Sequence, residues 1–352
     1  MDSPRASLTT SALAACATLL FFGIGCAPAP HHSDSADLNA ASSDAHPVRE
    51  PDFVLDTSNT HNKFSRAIPP VLTVPSGAVI ELETKEATDG QLTADSTADE
   101  LASLDFDLIH ALTGPIHVEG AEPGDVLAVT FHDIELGDWG WNAHMPGFGF
   151  LASDFDEPYL KTWRFEPGQT EVEFSHGVTV PLAPFPGVVG VAPDTDEMLS
   201  TIPPRANGGN MDNKYISVGT TLYLPVFVKG ALLSIGDTHA VQGDGEVCGT
   251  AIEAPMRLVI EAHVIKGKQI EEPQYETEDY YAVTGFAESI DEAARKAARY
   301  MLDYLESERG MAREDAYALA SLAGDLKISE TVDMPHYLVS MHMPKEIFEA
   351  AD

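Results

Sequence analysis

Leu224-Pro-Val-Phe-Val-Lys-Gly-Ala-Leu-Leu-Ser-Ile235 sets apolar residues on both sides of one glycine, and two other segments share that plan. They are Val71-Leu-Thr-Val-Pro-Ser-Gly-Ala-Val-Ile-Glu-Leu82 and Ile116-His-Val-Glu-Gly-Ala-Glu-Pro-Gly-Asp-Val-Leu-Ala-Val129. Short β-branched stretches bounded by Gly and Pro read as strands, and glycine supplies the positive φ of a tight turn, so each segment is expected to be a hairpin. Outward from these, the chain from Phe53 to about Glu288 is punctuated in the same way, without long helical patterns. Met256, Leu258, Ile260, Ala262 and Val264 alternate with a mixed face, giving one wholly apolar side; His263, on the mixed face, reads as a solvated or hydrogen-bonded histidine. Helical periodicity comes late. Ser289-Ile-Asp-Glu292 is a capping box that opens a helix to about Glu308, with Ala293, Ala297, Tyr300, Met301 and Leu305 as its apolar stripe. Gly310 ends it, a shorter helix runs from Ala312 to about Ala323, and two strands follow around residues 326–332 and 337–342. The expectation is one α+β domain over residues 53–345, predominantly β, with a sandwich- or barrel-like body and two C-terminal helices.

The N-terminus reads as a targeting signal. Arg5 precedes an apolar run from Leu13 to Gly25 that is too short for a comfortable membrane span. Gly23-Ile24-Gly25-Cys26 resembles a lipoprotein processing box, which makes residues 1–26 a signal peptide ending at a lipidated Cys26. Leu is usual where Gly23 stands, so ordinary cleavage near Ala27 to Ala29 is the competing reading. Residues 27–52 are rich in Ala, Ser, Asp, His and Pro and read as a tether, in which His31 and His32 are solvated linker residues. An exported protein of the cell envelope, anchored by lipid on the periplasmic or cell-surface side, is the expected location. With Cys16 and Cys26 in the leader, only Cys248 remains, and no internal disulfide forms. The chain carries 56 acidic against 20 basic residues, a formal charge of −36. That balance repels nucleic acid and anionic lipid, leaves the anchor as the only membrane contact, favours a neutral or cationic ligand, and suits a salty medium.

Chemistry concentrates between Asn207 and Glu253. After Asn207-Gly-Gly-Asn-Met-Asp212 comes Gly236-Asp-Thr-His-Ala-Val-Gln-Gly-Asp-Gly-Glu246, followed by Cys248 and Glu253. On a continuing strand, Asp237 and His239 leave the same face close enough to share one ion. Carboxylates gathered with a histidine raise one another's pKa unless a cation sits among them. Mixed oxygen and imidazole donors favour zinc or a similar divalent metal over calcium alone, with a second ion such as calcium also compatible. Such an ion acidifies a water, and Glu246 or Glu253, with Asp244 beside them, carries the proton. Asn210, Asp212 and Gln242 are the candidate substrate-binding residues. Two rival readings stand beside this one: an acidic turn that only binds calcium or solvates itself, and a nucleophilic Cys248 served by Glu246 or Glu253 and Lys229. For Cys248 itself, a small buried core cysteine is the plainer account.

Gly208-Gly-Asn-Met-Asp212, Tyr223 to Asp237, and His239-Ala-Val-Gln-Gly-Asp-Gly-Glu246 with Glu253 resemble the signature of the acetamidase/formamidase family. The likeness extends to His61-Asn-Lys-Phe-Ser65, Pro69 to Leu72, Thr84 to Gln91, Thr113-Gly-Pro-Ile116 and Gly120 to Asp125, and so covers most of the body. It implies hydrolysis of short linear amides to a carboxylate and ammonia, a β-rich fold, bound divalent metal and a homo-oligomer. It also adds His61 and Glu86 to the metal candidates. The chain departs from the family pattern at Glu86, where Asp is common, and at His110-Ala111, where Asn-Pro is common. Trp139 to Pro146 is aromatic enough to line a pocket mouth or to pack in the core. The leading expectation is a metal-dependent hydrolase of formamide- or acetamide-like substrates. The alternatives are a non-catalytic envelope lipoprotein that binds a small amide or sugar, and a hydrolase of a carbamate or cyclic amide.

Overall fold

A computed structural model describes residues 50–348; the leader, Cys26, His31, His32 and nearly all of the tether lie outside the described residues. Among the described residues, two large β-sheets and two α-helices make three layers, with three two-stranded sheets besides. The larger sheet has nine strands in the spatial order Phe53–Leu55, Ala78–Thr84, Met256–Ile265, Val126–Leu136, Thr221–Pro225, Gln274–Glu276, Tyr280–Ala287, Tyr337–Pro344 and Asp325–Glu330. The smaller runs Gly208–Asn210, Phe185–Gly190, Ala231–His239, Leu112–Val118 and Thr60–His61, with Leu72–Val74 parallel beside Leu112–Val118.

Strand alternation builds the layers. Leu127, Val129, Ile80, Leu82, Leu258 and Ile260 of the large sheet meet Ile116, Val118, Val189, Leu233 and Ile235 of the small one in a single apolar core. Their neighbours Val126 and Ala128 point the other way, onto Ala293, Ala297, Met301 and Leu305 of the first helix. Each of the larger side chains contributes about 1.5–3 kcal/mol on burial, so the strands' period of two serves both the sandwich core and the helical cover. The apolar face expected for Met256 to Val264 is buried at every second position, and His263 is exposed.

The C-terminal expectations also match. Helix α1 spans Ile290–Arg309, its Ser289 side chain accepts from the Glu292 N–H, and Gly310 closes it in the left-handed conformation. Helix α2 spans Arg313–Ala323. Among the described residues no helix is long and apolar enough to cross a membrane.

The three glycine-centred segments are not hairpins. Leu72–Val74 lies in the small sheet and Ala78–Thr84 in the large one; Leu112–Val118 and Val126–Leu136 divide in the same way, as do Ala231–His239 and Thr221–Pro225. Each glycine, Gly77 at φ 86°, Gly124 at φ 93° and Gly230 at φ 78°, therefore turns a corner of the sandwich. Both connections need the same positive-φ turn, and only the choice of strand partner, set by distant residues, separates them. One of these arches delivers Ala231–His239, buried at all nine positions, into the centre of the small sheet, where it ends at the candidate site.

Candidate active site

The end of the strand Ala231–His239 presents Asp237 and His239, the segment after Gly208–Asn210 presents Asp212, and the turns beyond His239 return Glu246 and Glu253. His239 Nε2 lies 3.0 Å from Glu253 Oε2 and 3.4 Å from Asp237 Oδ2, while its Nδ1 is 3.7 Å from Asp212 Oδ1. The result is two overlapping triads that share the imidazole, Asp237–His239–Glu253 and Asp212–His239–Glu246. All five side chains are buried. Asp212, Asp237 and Glu246 adopt φ of 39°, 50° and 45°, a left-handed conformation uncommon outside glycine. Three such residues converging on one histidine mark strain that the surrounding packing maintains. Asp237 thus reaches His239 from a kinked backbone rather than by simple strand alternation. Space for this comes from Gly187, where a Cβ would run into the Asp212 carboxylate, the Asp237 carbonyl and the His239 ring.

Above the triads is a cavity of about 50 Å³, walled on one side by Leu104, Phe106, Ile109, Met145, Phe148 and Ile202. Trp141, His110, Asn210 and Asp333 join the acidic groups around it. Of the buried polar atoms here, Asp333 Oδ2, Asn210 Oδ1 and His110 Nδ1 have no hydrogen-bond partner, while His239 Nε2, Glu253 Oε2 and Asp212 Oδ1 meet one another only in ionic contacts. Burial raises the Glu253 carboxyl to about 8, tempered by His239 and reinforced by Asp237. Burial, and then the charge of Asp212, lifts Glu246 well above the usual range. Asp333 is lifted in the same way, by burial and by Asp212. Burial also opposes ionisation of Asp237, but the imidazoles of His110 and His239 outweigh it and hold that carboxyl at about 2. The His239 imidazole resists burial through Glu253 and Asp237, which raise it well above its ordinary value. A cluster that must otherwise retain protons, with carboxylate oxygens and one imidazole converging, has the donor set of a divalent-cation site. These buried groups can hold a metal ion.

The acetamidase/formamidase family model matches residues 50–200 and 195–350. The chain belongs to that family. It is 33% identical over 269 residues to the acetamidase of Mycolicibacterium smegmatis, an alignment covering 59% of this chain and 66% of that protein. With the formamidase of Methylophilus methylotrophus the identity is 30% over 367 aligned residues, covering 82% and 89%. The crystal structure of a predicted acetamidase/formamidase from Thermoanaerobacter tengcongensis superposes with a TM-score of 0.79 at 34% identity, covering 84% of this chain and 96% of that one. As a member of the family, the protein is an amidohydrolase.

Within this family member the sequence-derived candidates divide. Asp237, His239, Glu246 and Glu253 meet as expected, and Asp212, read as a substrate contact, stands in the acid–histidine cluster itself. Gln242 serves the cluster from behind: its Oε1 accepts from His239 Nδ1 at 2.9 Å and its Nε2 donates to the Asp212 carbonyl at 2.7 Å. That contact fixes the ring and leaves Nε2 for the carboxylates. Asp244 is exposed and points away, held by the Tyr215 hydroxyl at 2.9 Å and Lys214 at 3.2 Å, so it braces the turn that carries Glu246.

His61 and Glu86 are not brought to the cluster. His61 is engaged at both ring nitrogens, with the Lys63 carbonyl and the Ser234 hydroxyl, each at 2.8 Å. Glu86 accepts from Thr88 N at 3.0 Å, Thr88 Oγ1 at 2.8 Å, Gly90 N at 2.7 Å and Trp141 Nε1 at 2.9 Å, which saturates its carboxylate. Cys248 is half-buried, donates to the Thr250 carbonyl and does not line the cavity, and Lys229 is exposed, so the thiol reading has no geometry. Sequence reasoning missed Asp333 and Glu330, which follow the cluster by some eighty positions without a local motif. Glu330 Oε2 accepts from the backbone of Val332 and Asp333 and so shapes the turn that aims Asp333 at Asp212.

Proposed function

We propose that the protein is a metal-dependent hydrolase of small linear amides, of formamide or acetamide size. One observation carries the reading: the paired acid–histidine triads, with orphaned buried donor atoms, form the floor of a cavity of about 50 Å³. That space corresponds to roughly three to five water-sized spheres, the scale of such a substrate.

Asp237, His239 and Glu253 would hold the ion, zinc being favoured by one imidazole among oxygens. When bound, the ion supplies Lewis acidity toward the carbonyl and lowers the pKa of water. Glu246, in the second triad and on the cavity wall, takes the proton of the attacking water as the new C–O bond forms and the carbonyl electrons move onto oxygen. When the C–N bond breaks, the same carboxyl returns its proton to nitrogen, and ammonia leaves together with the carboxylic acid, which gives its proton up to solvent. Asn210 Oδ1, buried and unpartnered, accepts an N–H of the amide. The apolar wall excludes bulk water from these steps. The N-terminal sequence supports placing this activity in the cell envelope on a lipid anchor, and the family resemblance supports a homo-oligomer.

The test is hydrolysis by purified protein before and after chelation, read as ammonia released from formamide, acetamide and a carbamate and as the ring-opened amino acid formed from a cyclic amide. Hydrolysis of the linear amides, abolished by chelator and restored by zinc, is the expected result. Turnover of the cyclic amide or carbamate alone would move the substrate class, and no turnover of any would overturn the reading.

A further inference from the structure

The segment that carries Phe148 is fastened to the turn between the two acids Glu246 and Glu253. Ahead of Phe148, the Ala143 N–H donates to Thr250 Oγ1 and that hydroxyl donates to the Ala143 carbonyl, each at 2.9 Å. The Asn142 side-chain amide adds bonds to the carbonyls of Thr250 at 3.1 Å and Ala251 at 3.0 Å. Beyond Phe148, the Phe150 N–H donates to the Val247 carbonyl at 3.0 Å. Held on both flanks, Phe148 lays its ring on Gly249, where a Cβ would run into ring carbons Cδ1 and Cε1. Gly249 is at φ 94°, so glycine serves both the backbone conformation and the close approach of the ring.

Phe148, Gly249, Thr250, Glu246 and Glu253 all line the cavity of about 50 Å³. The acids and Asn210 supply its polar side, and Phe148 belongs to its apolar wall. A small amide has one part without hydrogen-bonding atoms, its acyl substituent. Setting that part against the buried polar groups would leave them unpaired, so it lies along the apolar wall. Of the other wall residues, Leu104, Phe106, Ile109 and Ile202 come from other segments. Met145 shares this segment, but the Phe148 ring rests on the turn itself. A longer acyl chain therefore meets a ring whose backbone is tied to the acids.

We propose that Phe148, seated on Gly249, is the stop that holds the acyl group of the substrate to formyl or acetyl size. The inference rests on the amidase reading above and deepens it by naming the residue that sets chain length. Adding methylenes to a filled apolar site forces side chains or backbone to shift. One methylene in such a pocket changes kcat/KM by about 10- to 200-fold. Trimming the ring to a methyl group turns the stop into a slot over Gly249, in which an alkyl chain takes up the lost contacts.

The experiment uses the full mature protein with Phe148→Ala, the milder Phe148→Leu and, from another part of the wall, Ile202→Ala. It reads kcat/KM for acetamide, butyramide and hexanamide, beside bound metal per chain and melting temperature. Wild type is expected to lose about tenfold or more from acetamide to butyramide. In Phe148→Ala the butyramide-to-acetamide ratio is expected to rise by about tenfold or more, and in Phe148→Leu by about threefold or more. In Ile202→Ala it stays within about threefold, with wild-type metal content throughout. The Leu variant decides the matter if the Ala chain does not fold. A wild type that hydrolyses butyramide as fast as acetamide would overturn the assignment, and so would ratios within about twofold of wild type in the folded Phe148 variants. An equal rise in Ile202→Ala would overturn it by making the limit a property of the whole wall. Failure of both Phe148 variants to fold, or loss of metal with equal losses on every amide, would overturn it by making Phe148 a support of the acid turn. Wild-type protein that hydrolyses no amide is a separate result, which removes the amidase reading before Phe148 is reached.

Discussion

Trp141 and Glu253 exchange both backbone hydrogen bonds, Glu253 N–H to the Trp141 carbonyl at 2.7 Å and Trp141 N–H to the Glu253 carbonyl at 2.9 Å. The indole that walls the cavity and the carboxylate on its floor therefore move as one piece. The same indole N–H is held by Glu86, so a carboxylate away from the cluster controls the shape of the site.

Trp141→Phe removes the donor of that link and Glu86→Leu removes its acceptor. Each is expected to raise KM for a small amide by about tenfold, the scale of one lost positioning contact, with bound metal unchanged. Metal analysis beside steady-state kinetics checks this. Loss of metal from the Glu86 variant alone would return Glu86 to the ligand set.

Gly187→Ala puts a methyl group where the Asp212 carboxylate, the Asp237 carbonyl and the His239 ring already meet. Overpacking of this kind costs about 1–3 kcal/mol, so the melting temperature should fall by several degrees and metal affinity with it. Thermal unfolding with and without zinc measures both. A variant that binds zinc as tightly as wild type would show that the cluster relaxes at no cost.

Glu246 and Asp244 are separated by one residue and are expected to behave differently. Glu246→Gln should lower kcat by about 100-fold or more, the usual contribution of a positioned proton carrier, while keeping metal. Asp244→Asn loosens only the contacts with Tyr215 and Lys214 and should cost a few-fold at most. Comparable losses in the two would place the proton carrier elsewhere.

In the metal-free protein Glu253 and Glu330 are raised from about 4.5 to about 8. Folding then retains protons that the unfolded chain releases, so stability falls as pH rises between those values and levels off above. The raised His239 acts in the same direction. The metal-free melting temperature should thus decline from pH 5 to pH 8. Divalent zinc, which displaces those protons, should flatten or reverse the decline. A pH-independent melting temperature in metal-free protein would contradict the electrostatic account of the cluster.

Much of the fold was legible because its signals are local. The apolar alternation of Met256 to Val264, the Ser289 cap and the Gly310 stop each depend on neighbours a few positions away. The glycine arches look like hairpins in sequence because Gly77, Gly124 and Gly230 satisfy the same turn whether the next strand pairs locally or joins the other sheet. In the site, Asp237, His239, Glu246 and Glu253 lie within one short stretch and could be read together. Gln242 and Asp244 share that stretch but serve from behind and outside it, which spacing alone cannot reveal. His61 and Glu86 entered through resemblance, and their hydrogen bonds withdraw them. Asp333 and His110 reach the cavity only through tertiary packing, at distances along the chain where no periodicity connects them.

The central claim, that one imidazole and its carboxylates hold a working cation, is tested most directly by anomalous diffraction at the zinc edge from crystals of active protein. The account predicts a peak within about 2.0–2.2 Å of His239 Nε2 and of oxygens from Asp237 and Glu253. An active crystal with no anomalous peak for any divalent metal at this cluster, or with a peak only at a surface site such as Asp244, would contradict it.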